Sequence, residues 1–237
     1  MPPQFECNRE VLLPATPEEV WEAVATSAGN AAWLFPNEIN PDVPATKAWE
    51  PPRHFAVRME QGDWFNALEF VIEGREGATS TLRYMHSGIF VEDWDRQYDA
   101  VHQHTDFYLH TLGEYLRHFK GRTATYIGDA PQGIQGPAAS AGPDGFARLQ
   151  RALGLGSPPV VGEVVQLTPE SLQPVQGVVD YAKANFLGVR SPDALYCFFG
   201  RNAFGAPVAV AIHAFAAGID AEQAKREWRQ WLERALG

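Results

Sequence analysis

The chain has 237 residues, 45% of them hydrophobic and 20% charged, which fits one large domain or two modest ones with room for a sizeable core. No stretch approaches the roughly 18 unbroken apolar residues of a membrane span, and "MPPQFECNRE" lacks the basic region and apolar block of a signal peptide, so a cytoplasmic protein is expected. The net charge of −10 lies in the first half, where residues 1–120 carry nine Lys/Arg against nineteen Asp/Glu while residues 121–237 carry ten of each; such a surface repels phosphate backbones and anionic lipid, so no nucleic acid and no membrane is expected as a partner.

The two cysteines, Cys7 and Cys197, have neither ligand-like nor redox-like spacing and read as small buried hydrophobes. Along the chain, "FECNREVLLPA" (5–15) alternates Phe5, Cys7, Arg9, Val11 and Leu13 against Glu6, Asn8, Glu10 and Leu12, a strand pattern. "TPEEVWEAVATSAG" follows, with Thr16 placed as N-cap, Pro17 as first helical residue and Glu19 as the capping-box acid. A shorter helical piece, "NAAWLFP" (30–36), stops at Pro36. "RHFAVRM", "ALEFVIEG" and "TLRYMHSG" then read as three strands with one apolar face each, as in an antiparallel sheet covered on one side. On the third, His86 shares the covered face with Leu82 and Tyr84. A long helix over about 92–120 comes next, with Val101, Tyr108, Leu112, Tyr115 and Phe119 on one side, Tyr98, Thr105, Leu109 and Leu116 widening it, and Asp99, His102, Asp106 and His110 opposite. The acidic pair of "EDWD" (92–95) complements the dipole at its start.

"GRTATYIGDAPQGIQGPAASAGPDG" (121–145) holds six Gly, three Pro and five Ala, too many breakers for a persistent helix. "TATYI" could pair as a strand; the rest reads as a linker. Beyond it come a short helix (146–153), strands near 160–167, 176–181, 185–190, 194–200 and 207–215, and a helix from Asp220 whose wet face offers Glu222–Arg226 and Arg229–Glu233 pairs. The expected division is therefore 1–122, a linker at 123–145, and a second α+β half at 146–237. "GATSTLRYMHSGIF" (77–90) and "GAPVAVAIHAFAAG" (205–218) echo each other. The echo marks a duplicated half or chance, because Gly-Ala turns and strand-to-helix order are common.

"REVLLPATPEEVWEAVATSAGNAAWLFP" (9–36), "WEPPRHFAVRM" (49–59) and "TSTLRYMHSGIF" (79–90) resemble, over about half the chain, the START/SRPBCC superfamily, nearest its activator-of-heat-shock-protein-ATPase (Aha-like) group. The resemblance implies an α+β helix-grip fold, an antiparallel sheet wrapped on a long helix, with a cavity between them used for apolar ligands. Two departures stand out. "NEINPDVPATK" (37–47) is too short for the family's glycine-rich hairpin, and the Gly-Trp of the last helix is missing, with Phe107 near the tryptophan position. The sheet is thus expected to lack strands, leaving an open edge. Strands from 160–215 of the second half, a degenerate repeat if the echo is genuine, are expected to complete or cover it.

The inward candidates for a ligand site are Phe70, Tyr84, His86, Tyr98 and Thr105, with Trp33 at the mouth. Aromatic walls with a few polar groups suit a small molecule, and they equally suit a space filled by its own side chains. His86 reads either as an acid, base or orienting group or as a neutral imidazole satisfied by a neighbour. His104 sits at a border of the helix, and His213, beside Ala209, Ala211 and Phe215, reads as packed core. Asp99, His102, Asp106 and His110 share a helix face at ligand-like spacing, but a solvated face needs the same spacing and no second element offers ligands, so no metal is expected. Walker, GxGxxG, GxSxG, HExxH and CxxC motifs do not occur, and no cofactor is expected. The resemblance leaves three functions open: a binder of a small apolar or aromatic ligand, a chaperone-associated or regulatory interaction protein, and a polyketide-cyclase-type enzyme using His86 or Tyr84. Fold alone does not choose among them.

Overall fold

The computed structural model describes residues 4–89 and 94–237. The expected acidic pair Glu92 and Asp93 lies outside them. Two compact units divide the chain, Met1–Gly121 and Arg122–Gly237.

The first unit begins with β1 (Gln4–Leu13), whose alternation buries Phe5, Cys7 and Leu13. Helix α1 (Pro17–Ala25) starts at a complete capping box: Thr16 accepts from the Glu19 amide, and the Glu19 carboxylate accepts from the Thr16 amide. A short helix, α2 (Ser27–Asn30), folds straight back and serves as the end-cap of α1. There the Asn30 amide donates to the carbonyls of Val24 and Thr26, at 2.9 and 3.1 Å, satisfying groups that a helix end leaves open.

Strands β2 (Thr46–Glu50), β3 (His54–Gln61), β4 (Trp64–Arg75) and β5 (Thr79–Ile89) follow. They join β1 in one antiparallel sheet of order β1-β5-β4-β3-β2. The sheet is not left short by the missing hairpin, because "TKAWE" supplies β2 and a Pro51-Pro52 corner returns the chain into β3. β3 and β4 run further than their apolar cores suggest. Gln61 pairs with Trp64 across Gly62 and Asp63, and Gly62 has φ +61°, the glycine-first geometry of a tight hairpin. The edge strand β2 is short and carries Lys47 and Glu50, which discourages pairing with other chains. The long helix α3 (Trp94–His118) packs along β1 and α1, while α1 lies over β4 and β5.

The second unit carries β6 (Thr125–Ile127), β7 (Ile134–Gln135), α4 (Gly145–Ala152), β8 (Val164–Leu167), β9 (Val175–Lys183), β10 (Phe186–Arg190), β11 (Ala194–Phe199), β12 (Ala209–Ala214) and α5 (Ala221–Leu236). The stretch expected as a linker is built into this unit, since β6 and β7 both hydrogen-bond to β12. Strands from 160–215 pair among themselves in a sheet of order β6-β12-β11-β10-β9-β8, rather than along an edge of the first. Their own first strand, β6, occupies the position beside β12 that β1 occupies beside β5. Both units therefore wind alike: opening strand, helices, antiparallel meander, closing helix. On α5, Asp220 caps the Gln223 amide, and Trp231, Leu232 and Leu236 are buried. Arg229 reaches Asp129 in the turn after β6, at 2.5 Å, where Glu233 was the expected partner. Among the described residues no helix is long and apolar enough to cross a membrane.

The histidine echo does not survive as an equivalence. His86 lies nine residues beyond its Gly-Ala and His213 eight, and one residue turns a strand side chain to the other face. His86 faces inward with Tyr84, whereas Val210, Ile212 and Ala214 supply the core facing α5 and His213 points the other way, 1% exposed.

Candidate functional site

The inner face of the first sheet has two zones. Beneath α1, Leu13, Phe55, Phe70, Ile72 and Leu82 are all sealed, at 3% exposure or less, together with Val20 and Val24 of the helix. Farther along the same strands Val57, Asn66, Leu68, Tyr84 and His86 are only half-buried, and Met59 is 52% exposed. The helix above leans on β1 and α1, so this second zone of the sheet face is an incompletely covered hollow and not a closed core.

A row of rings crosses the sheet in strand order. Trp21 of α1 meets Trp49 of β2 at 5.0 Å, Trp49 meets Phe55 at 5.5 Å, and Phe55 stacks on Phe70 at 5.6 Å, 15° from parallel. Phe70 meets Tyr84 at 5.2 Å, Tyr84 meets His86 at 6.5 Å, and Phe5 of β1 stands edge-on to His86 at 4.9 Å. The register explains the row, because Trp49/Phe55, Phe55/Phe70 and Phe70/Tyr84 are directly opposed pairs; such pairs each add roughly 0.5–1 kcal/mol beyond burial.

His86 ends this row at the hollow. Its Nε2 lies 2.7 Å from Oδ1 of Asn66, one pair farther along β4 on the same face. The bond places the proton on Nε2 and leaves Nδ1 as an acceptor. Burial pulls the imidazole pKa down to about 4, so the ring is neutral near pH 7. Phe5 reaches it across Gly88, where a Cβ would stand 2.7 Å from the Phe5 ring and 2.9 Å from the Phe65 carbonyl oxygen.

A polar cluster closes the β1 side. Arg9 donates from Nε to Asp106 Oδ1 at 2.5 Å and from Nη2 to His102 Nδ1 at 3.1 Å, joining β1 to α3. The His102 Nε2–H lies near the Glu6 carbonyl without reaching hydrogen-bond geometry. Burial, then the Arg9 charge, lowers the His102 pKa. Thr105, 5% exposed, faces both the Tyr84 phenol and the Cys7 thiol, whose pKa values burial pushes up. Among the described residues no three His, Cys, Asp or Glu side chains converge as metal ligands. Of the acidic helix stripe, Asp106 and His102 are instead occupied by a guanidinium.

Phe70, Tyr84, His86 and Thr105 therefore come together. Tyr98 stands over His102, ring centroids 4.2 Å apart, on the Arg9 side of the hollow. Trp33 is not at the mouth. It is 2% exposed, its indole N–H donates to the Ala23 carbonyl at 2.9 Å, and the fold-back that caps α1 has drawn it into the core. Asn66, Arg9 and Phe5 were not among the expected site residues. Asn66 had a signal, since it lies in step with Leu68, Phe70 and Ile72, but a strand begun at Ala67 stops one position short of it. On the outer face of the sheet Asn8, Glu10, Glu69, Val71, Arg83 and Met85 line a depression of about 490 Å3. Its charges are tied off locally, Glu69 by His54 at 2.7 Å and Arg83 by Glu73.

Five antiparallel strands with the first beside the last, two short helices after the first strand, and a long closing helix define the architecture. The first unit has the helix-grip fold. This agrees with the START/SRPBCC resemblance carried by residues 9–36, 49–59 and 79–90. No protein-family model and no curated protein matches the chain. Among solved structures, the chain is similar to a Mesorhizobium loti protein at 18% identity, over 49% of this chain and 99% of that one, with a TM-score of 0.42. It is similar to the Aha1 dimer from Colwellia psychrerythraea at 16% identity, over 47% and 96%, with a TM-score of 0.38. It is also similar to the di-domain ARO/CYC BexL from the BE-7585A biosynthetic pathway at 15% identity, over 96% and 93%, with a TM-score of 0.38.

Proposed function

We propose that the helix-grip unit binds a small apolar or aromatic ligand in the hollow between the sheet and the long helix. One observation carries this reading: on one continuous sheet face, residues beneath α1 are sealed while Val57, Leu68, Asn66 and His86 a few positions away remain partly exposed. Apolar strand residues that the fold could have covered are left accessible around a fixed polar pair, the composition of a small-molecule site. The row of rings from Trp49 to Tyr84, sealed at Phe55 and Phe70, braces the strands beside the hollow, and rigidity lowers the ordering cost of binding. His86 is held by an amide and not by a carboxylate, which orients the imidazole without raising its basicity. Orientation of a ligand is therefore the role supported for it, ahead of proton transfer.

Native mass spectrometry of the full chain purified from its own source tests the reading. A retained small molecule, lost on denaturation and reduced in Leu68→Arg, is the expected result. A spectrum showing the bare polypeptide mass, together with no thermal stabilisation by any member of an apolar ligand panel, would count against it.

A further inference from the structure

We propose that this hollow selects an uncharged ligand bearing a hydrogen-bond acceptor, such as an aromatic amide, ketone or ester, over a carboxylate or phosphate of the same shape. The inference rests on the ligand-binding reading and narrows it. β3, β4 and β5 present no Lys or Arg on the inner face. β1 presents Arg9, and its guanidinium is already matched by Asp106 and shared with His102. An anion entering the hollow therefore gains no unmatched cation from β1, β3, β4 or β5. Taking a carboxylate out of water without compensation is strongly unfavourable, and the −10 net charge opposes its approach.

Donors for a neutral acceptor are present. With its Oδ1 engaged by His86 Nε2, the Asn66 amide keeps two N–H donors on Nδ2. Asn66 is partly exposed, so a carbonyl oxygen arriving over Leu68 can accept from it. His86 thus acts as a positioning residue: it sets which end of the Asn66 amide faces the ligand. The flat ring of such a ligand would lie toward Tyr84, which packs edge-on to the sealed Phe70 at the border of the two zones.

The test compares three probes of one shape with the full chain at pH 7.5: naphthalene, 2-naphthamide and 2-naphthoate, followed by fluorescence titration. The amide is expected to bind about tenfold more tightly than the naphthoate and several-fold more tightly than naphthalene, the range of one net hydrogen bond. Asn66→Ala should bring the amide to the naphthalene value and leave naphthalene unchanged. Asn66→Leu, nearly the same size, serves if the alanine variant does not fold. His86→Leu should weaken the amide and spare naphthalene. Naphthoate binding as tightly as the amide would overturn the inference while leaving the binder reading intact, and so would an amide no better than naphthalene. Failure of all three probes, with a ligand-free native mass spectrum, would overturn both.

Discussion

Phe5 and His86 meet edge to face, centroids 4.9 Å apart, because position 88 between them carries no side chain. Gly88→Ala should therefore be destabilising. Its methyl would press on the Phe5 ring and on the Phe65 carbonyl oxygen, and overpacking of this kind costs about 1–3 kcal/mol. Urea unfolding should show it, with the His86 ring resonances shifting in the same variant. An alanine variant as stable as the parent, with unshifted imidazole signals, would mean that Phe5 is not held where it lies.

The imidazole should also leave a mark on the pH dependence of stability. Folding holds the His86 pKa at about 4, below the ordinary 6.5, through burial. As pH falls, the unfolded chain takes up the proton first. The stability associated with the neutral ring is complete above pH 6.5 and is lost as pH drops from there toward 4, by up to about 3 kcal/mol. His86→Gln should remove that part of the slope while carboxylate effects at lower pH persist. Parallel stability curves for parent and variant between pH 4 and 6.5 would argue against it.

Two apolar positions on one strand should differ sharply. Ile72, 2% exposed under α1, is expected to cost about 2–4 kcal/mol on replacement by alanine, and half-buried Leu68 about 1 kcal/mol. Conversely, Leu68→Ala should change the affinity for aromatic probes and Ile72→Ala should not. Denaturant midpoints and probe titrations on the same two proteins check both halves. Equal stability losses would show that the two zones are one core.

Asp106→Asn keeps size and removes the charge that Arg9 meets. The side chains are 27% and 46% exposed, so solvent screening limits the loss to about 1 kcal/mol. The same substitution frees a cation beside the hollow, and 2-naphthoate should gain several-fold in affinity. Added salt should erase much of that gain.

Local rules made much of the first unit legible. The strand of residues 5–13, the capping box at Thr16 and the inward side of His86 all follow from alternation and end-capping chemistry. What was not legible came from relationships between distant segments. Arg9 was read in step with the apolar residues of a strand and Asp106 on the side of a helix opposite its apolar face, and each periodicity was sound. Neither could say that these two sides meet, 97 residues apart. Trp33 misled because an aromatic near a helix end suits a pocket mouth as well as a core, and only the fold-back of α2 decides. β2 lay hidden in a Pro- and Asn-rich stretch whose strand is five residues long. The Gly/Pro/Ala-rich segment was taken for a spacer because composition reports the difficulty of forming a helix. It does not report the availability of a neighbouring strand to pair with, and here β12 accepts both β6 and β7.

The two-zone sheet has a consequence for how such a protein can change. Side chains that would discriminate between occupants, at positions 57, 66 and 68, are not those on which the scaffold depends, at 55, 70, 72 and 82. On the proposed binding reading, exchanges in the accessible group would retune what is admitted while the scaffold keeps its margin, so new preferences would be open to this chain by single steps without passing through unfolded intermediates.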